Sequence, residues 1–153
     1  MATRKIIGIV FSFIGILFSV IFLIHSDINI NLKEYFDFSF KSYFSLSYFN
    51  QILPLIICLI LFYGGILLII KPTKSNPILA LFGFTVLEQI VFSWFGIISI
   101  DFSTYVIGIF FFCTILALWI AYSNTINQKR LSLKEGVFSL ILGTIINAFS
   151  YYL

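Results

Sequence analysis

The chain has 153 residues, of which 61% are hydrophobic and 10% charged, with a mean hydropathy of +1.12. A water-soluble domain carries roughly a quarter of its residues as charges, so this composition excludes one. A net charge of +3 also lacks the dense basic patch of a nucleic-acid binder, and no nucleic-acid partner is expected. What remains is an all-α integral membrane protein. The apolar runs predict a compact bundle of five transmembrane helices (four if the last does not span), which leaves too little chain for a soluble unit, so residues 1–153 form a single membrane domain.

The first run, 6–24, has no charge and follows Arg4 and Lys5. It exceeds the roughly 7–15 apolar residues of a signal peptide, and no Ala-x-Ala site follows, so it is expected to stay as an anchor. Gly8, Ser12, Gly15 and Ser19 recur along it at helical spacing. Membrane helices associate through close approach at small residues, which makes this stripe a helix-packing face.

Residues 25–51 lie outside the apolar runs. Asn31 and Glu34 have the spacing of a helix start, and Phe36, Phe40 and Phe44 fall four apart, although Phe36, Phe38 and Phe40 also fit a strand. A helix satisfies its own backbone at a membrane surface whereas a lone strand does not, so an extracytoplasmic interfacial amphipathic helix is expected. It would serve as an anchoring belt, or as a lid or docking surface for an extracellular ligand.

The second run is 52–70, with Asn50 as a cap and Pro54 in the first turn; the third is 78–99, with Asn76 as N-cap and Pro77 opening the helix. Thr85, Gln89, Ser93 and Gly96 form the packing stripe of the third. The fourth run, 103–122, offers only Thr114, Ala117 and Ala121, and the second mainly Cys58 and Gly65. Cys58 and Cys113 both sit in apolar runs, which points to small buried side chains and to neither a disulfide framework nor a zinc cluster. The fifth run, 136–153, follows a capping box at Ser132 to Glu135 and carries Ser139, Gly143, Asn147 and Ser150 on one face. Short connections at 71–77 and 100–102 require the second, third and fourth helices to be antiparallel neighbours.

With the N-terminus inside, seven of the nine basic residues fall on inner segments and only Lys33 and Lys41 on outer ones. The positive-inside rule then predicts a multi-pass plasma-membrane protein with a cytoplasmic N-terminus and an extracytoplasmic C-terminus. The absence of an Asn-x-Ser/Thr glycosylation site fits a bacterial origin.

Glu88 is the one charged residue inside a run, the eleventh of the 22 positions from 78 to 99. An acidic residue at the bilayer centre costs roughly 2.5–3.5 kcal/mol, so something must offset it. The candidates are the neutral acid form, hydrogen bonds to Gln89, Thr85 or Asn147, or a cationic residue of a partner, since no Lys, Arg or His lies in the middle of a run. Glu88, Gln89, Thr85 and Asn147 therefore form the expected intramembrane polar site. His25, Asp27, Glu34, Asp37 and Asp101 have no ligand spacing and read as a solvated rim, so no metal or cofactor is expected. No catalytic motif occurs, and the chain is not expected to be an enzyme.

Two functions fit these features. One is a non-catalytic membrane protein acting through partners, as an accessory subunit of a transport or export complex or as an immunity-type protective protein. The other is a small oligomeric proton- or cation-coupled transporter or channel with Glu88 as its carboxylate. Either way the chain contacts the lipid bilayer and a protein partner or second copies of itself.

Overall fold

The computed structural model describes residues 2–25, 46–97, 103–123 and 129–151. All the regular structure among them is helical: α1 (Ala2–His25), α2 (Leu46–Ile70), α3 (Pro72–Trp94), α4 (Thr104–Tyr122) and α5 (Leu133–Tyr151). Four segments, Ala2–Ile24, Leu53–Ile70, Pro72–Trp94 and Thr104–Tyr122, are long and apolar enough to cross a membrane. The expected interfacial helix falls largely on 26–45, outside the described residues.

Two helices begin earlier than their capping residues predict. Helix α3 starts at Pro72 rather than at Asn76 and Pro77, leaving Lys71 as the only non-helical residue between α2 and α3. Pro72 occupies the first helical position, where a missing N–H is harmless, and it disfavours helical backbone at Lys71, which adopts φ −134°. Pro77 therefore lies within the helix. Asn76 caps nothing: it is buried, and its Nδ2 donates to the Lys129 carbonyl at 2.5 Å, tying the start of α3 to the approach to α5. Helix α2 likewise begins at Leu46, so Pro54 sits inside it and Asn50 is not at its end.

At its other end α3 stops short of residue 99. Gly96 has φ 69°, its N–H donates to the Ser93 carbonyl, and the Ile97 N–H donates to the Phe92 carbonyl. These two bonds satisfy the last carbonyls of the helix through a left-handed residue that glycine adopts without strain. Gly96, expected on a packing stripe, is instead exposed beyond the helix, and a Cβ there would meet nothing within 4 Å among the described residues. It terminates α3.

The helices alternate in direction around α3, which packs on α2, α4 and α5, while α1 lies on α2. Phe11, Leu61, Leu79, Phe82, Cys113 and Ile120 form the buried core. Close approach at glycine sets two of the contacts. A Cβ on Gly15 would lie 2.6 Å from the Phe62 nitrogen, and one on Gly65 would lie 2.7 Å from the Gly8 carbonyl oxygen, so the α1 and α2 backbones touch along this face. Outward, α1 presents Ile6, Ile9, Phe13 and Ile16, and α4 presents Phe112, Ile115 and Trp119, all exposed. These apolar faces meet lipid when the bundle is embedded.

Helix α5 opens with the expected capping box. The Ser132 N–H and hydroxyl both donate to Glu135 Oε2, at 2.9 and 2.7 Å, and the Glu135 N–H donates back to Ser132 Oγ at 3.3 Å. Bonds to the ionised form hold the Glu135 carboxyl below the usual glutamate range. A lowered folded pKa contributes stability above the unfolded value that is lost as pH falls through the folded one. Carbon-13 NMR titration should therefore find Glu135 titrating below the ordinary glutamate value near 4.3, moving upward in Ser132→Ala.

Thr114 has the opposite problem. It is fully buried, and its hydroxyl oxygen has no hydrogen-bond partner among the described residues. An unmet buried polar group costs about 1–3 kcal/mol, so Thr114→Val, close in shape, is expected to raise the unfolding temperature in detergent. A lowered temperature would mean that the hydroxyl is engaged.

Candidate functional site

The polar site forms where α5 lies alongside α3. The two helices run in the same direction, as their successive contacts show. Ser139 Oγ donates to the Pro77 carbonyl at 3.1 Å, a Cβ on Gly143 would meet Thr85 Oγ1 at 3.0 Å, and Asn147 Nδ2 donates to the Thr85 carbonyl at 3.1 Å. Positions 139, 143 and 147 are four apart, which keeps them on one face of α5. Ser139, Gly143 and Asn147 are accordingly buried against α3. The side chain of Ser150 lies outside the described residues.

Glu88 stands near the far end of this seam. Because α3 begins at Pro72, Glu88 is the seventeenth of its 23 residues. At 1.5 Å per residue it lies about 7.5 Å past the midpoint of the helix. Both carboxylate oxygens are engaged from α5: the Thr144 hydroxyl donates to Oε1 at 2.7 Å and Asn147 Nδ2 donates to Oε2 at 2.9 Å. Asn147 thus uses both amide protons, one on Glu88 and one on the Thr85 carbonyl. Its own oxygen is buried without a partner among the described residues.

Of the four residues expected at the site, Glu88 and Asn147 are hydrogen-bonded directly. Thr85 contributes its carbonyl, while its hydroxyl turns back to the Leu81 carbonyl at 2.8 Å. Gln89 is half-buried and its side chain makes no hydrogen bond among the described residues, and Ser93 is also half-buried. Thr144 was not among the four. Its signal was present in the sequence, because Thr144 and Asn147 are three apart and must share a helix face.

The remaining small residues of α1 belong to a separate contact. Ser12 Oγ lies 3.4 Å from the Phe62 carbonyl, while buried Ser19 donates to its own helix at the Gly15 carbonyl, 2.8 Å away. Gly8 and Gly15 face α2, far in sequence from the polar site.

The site opens on one side. Thr144 is exposed and Glu88 is half-buried, so their hydrogen bond lies at the bundle surface between α3 and α5. The Thr144 hydroxyl also lies 3.0 Å from the Leu140 carbonyl, yet it has one proton to donate. An ionised Glu88 accepts that proton. A neutral Glu88 instead donates to Thr144 Oγ1 and frees the Thr144 proton for Leu140, so the same atoms bond either form. Among the described residues no three His, Cys, Asp or Glu side chains group as metal ligands.

The fold and the site together define a class: an all-helical bundle with four helices long and apolar enough to cross a membrane, joined across α3 and α5 by a carboxyl–threonine–asparagine contact. No protein family, curated protein or solved structure matches the chain.

Proposed function

We propose that this chain is a non-catalytic, multi-pass membrane protein that acts by holding a membrane helix of another protein against the α3–α5 face. The observation that carries the reading is the polar group at that surface: Glu88 and Gln89 half-buried, Thr144 exposed, and the Gln89 side chain with no hydrogen bond among the described residues. Hydrocarbon offers such groups no partner, so a neighbouring helix that supplies donors stabilises them. An accessory subunit of a transport or export complex, or an immunity-type protective protein, meets this description.

The membrane placement has its own support. Helix α5 keeps register with α3 from Ser139 to Asn147, which puts it at the same depth as a candidate span and favours a fifth crossing. Arg4, Lys5, Lys71, Lys74, Lys129, Arg130 and Lys134 all belong to one end of the alternating bundle. That end is the cytoplasmic one by the positive-inside rule, with the C-terminus outside a bacterial plasma membrane.

A photo-crosslinking residue at position 89, with position 108 as the lipid-facing control, tests the reading in native membranes. The expected result is a stoichiometric adduct with one different protein, identified by mass spectrometry and lost in Glu88→Leu. An adduct with a second copy of this chain, or with lipid alone, would overturn it.

A second reading rests on the ability of the Thr144 hydroxyl to bond Glu88 in both protonation states, with the Leu140 carbonyl as its alternative acceptor. Here the chain is an oligomeric proton-coupled transporter. Glu88→Gln is expected to preserve folding, since an amide still bonds to Thr144 and Asn147, and to abolish pH-dependent flux in liposomes. Unchanged flux would sink this alternative.

A further inference from the structure

A second concave site lies away from Glu88, at the basic end of the bundle. A cavity of about 460 Å³ opens between α3, the end of α4 and the first turns of α5, a size typical of small-ligand clefts. Its apolar wall includes Phe84, Leu131, Val137 and Leu140, and its two polar lining residues are Tyr122 and Arg130. The wall is built rather than incidental. Phe84 and Tyr122 meet edge to face with ring centroids 6.5 Å apart, and the Tyr122 hydroxyl rests against Gly136, where any Cβ would collide with it.

The charge at this cavity is unbalanced. Arg130 is exposed and forms no ion pair or hydrogen bond among the described residues. Lys129 and Lys134 flank it in sequence, and the nearby carboxylate, Glu135, is occupied by the Ser132 cap. A free anion would satisfy Arg130 but leave the apolar wall unused. A hydrocarbon chain alone would do the reverse. Leu133, 81% exposed where α5 begins, and Val137, 46% exposed, continue the apolar surface outward from the cavity.

From this combination we infer that the cleft between α3, α4 and α5 binds one anionic phospholipid, with its phosphate on the Arg130 guanidinium and the Tyr122 hydroxyl and an acyl chain along Phe84, Val137 and Leu140. Arginine presents paired N–H donors that match a phosphate, and basic pockets between membrane helices select anionic headgroups. The cleft contains none of Glu88, Gln89, Thr144 and Asn147; Leu140 alone belongs to both, its side chain here and its carbonyl beside Thr144, so a test read at Arg130 and Val137 does not depend on the partner reading.

Native mass spectrometry of the detergent-solubilised full chain, titrated with phosphatidylglycerol or phosphatidylcholine, tests the inference. One phosphatidylglycerol is expected to be retained in preference to phosphatidylcholine. Arg130→Gln should weaken that retention by about fivefold, the effect of one basic residue near an anionic lipid. Val137→Trp should remove it by filling the cleft, while Lys74→Gln, at the same end but outside the lining, should leave it unchanged. Equal retention of the two lipids, an Arg130→Gln variant that binds like the parent, or displacement of the lipid by inorganic phosphate alone would overturn the proposal.

Discussion

Gly15→Leu is expected to separate α1 from α2 and to produce the largest loss of stability of any single substitution considered. A Cβ at this position would lie 2.6 Å from the Phe62 nitrogen, 2.8 Å from the Cys58 carbonyl oxygen and 2.9 Å from the Phe62 Cα. All three are backbone atoms of α2, and backbone inside a helix cannot swing aside as a side chain would. Overpacking of this kind costs about 1–3 kcal/mol, and more where the obstacle is rigid. Since α1 packs chiefly on α2, little other contact compensates. Gly108→Leu is the control, because a Cβ there meets nothing within 4 Å. Thermal unfolding in detergent should show a large fall for Gly15→Leu and none for Gly108→Leu, where replacing glycine within a helix is mildly favourable. Equal effects at the two positions would refute the close α1–α2 contact.

Asn147→Leu is expected to cost about 2 kcal/mol, chiefly by leaving one oxygen of Glu88 without its donor. The substitution keeps the branching and the number of heavy atoms, with bulkier methyl groups, and removes the amide bonds to Glu88 Oε2 and the Thr85 carbonyl. Hydrogen bonds between membrane helices are worth about 0.6 kcal/mol on average, so the two bonds alone do not account for the effect. Loss of the buried, unpartnered Asn147 oxygen gives a partial offset. The carboxyl is therefore the larger part, and a double-mutant cycle isolates it. In a Glu88→Leu background, Asn147→Leu should cost less than half as much. The same cost in both backgrounds would mean that Asn147 acts through Thr85 alone.

The small-residue stripes were legible because helical spacing fixes which side chains share a face. Gly8 and Gly15 share one, as do Ser139, Gly143 and Asn147, whatever lies opposite. Helix starts were less legible. Lys71-Pro72 and Asn76-Pro77 both carry a start signal, and only the continuous turn from Pro72 decides between them. Gly96 could pack a helix or end one. Its φ of 69° and the Ile97–Phe92 bond settle it as an ending. Thr144 was visible as a polar residue, but its bond to Glu88 requires knowing that the fifth helix lies against the third.

By itself the sequence determined that the chain is helical and apolar enough for a membrane, where its long runs fall, and that Glu88 is the one carboxylate within them. These are local properties, set by composition and by the period of the helix. Only the tertiary structure decided that α5 lies parallel beside α3 and that α1 rests on α2 at touching glycines. Local periodicity says which face of a helix seeks a neighbour. The identity of that neighbour depends on where glycine, serine and asparagine from distant parts of the chain allow close approach, and here that brought Thr144 and Asn147 to Glu88.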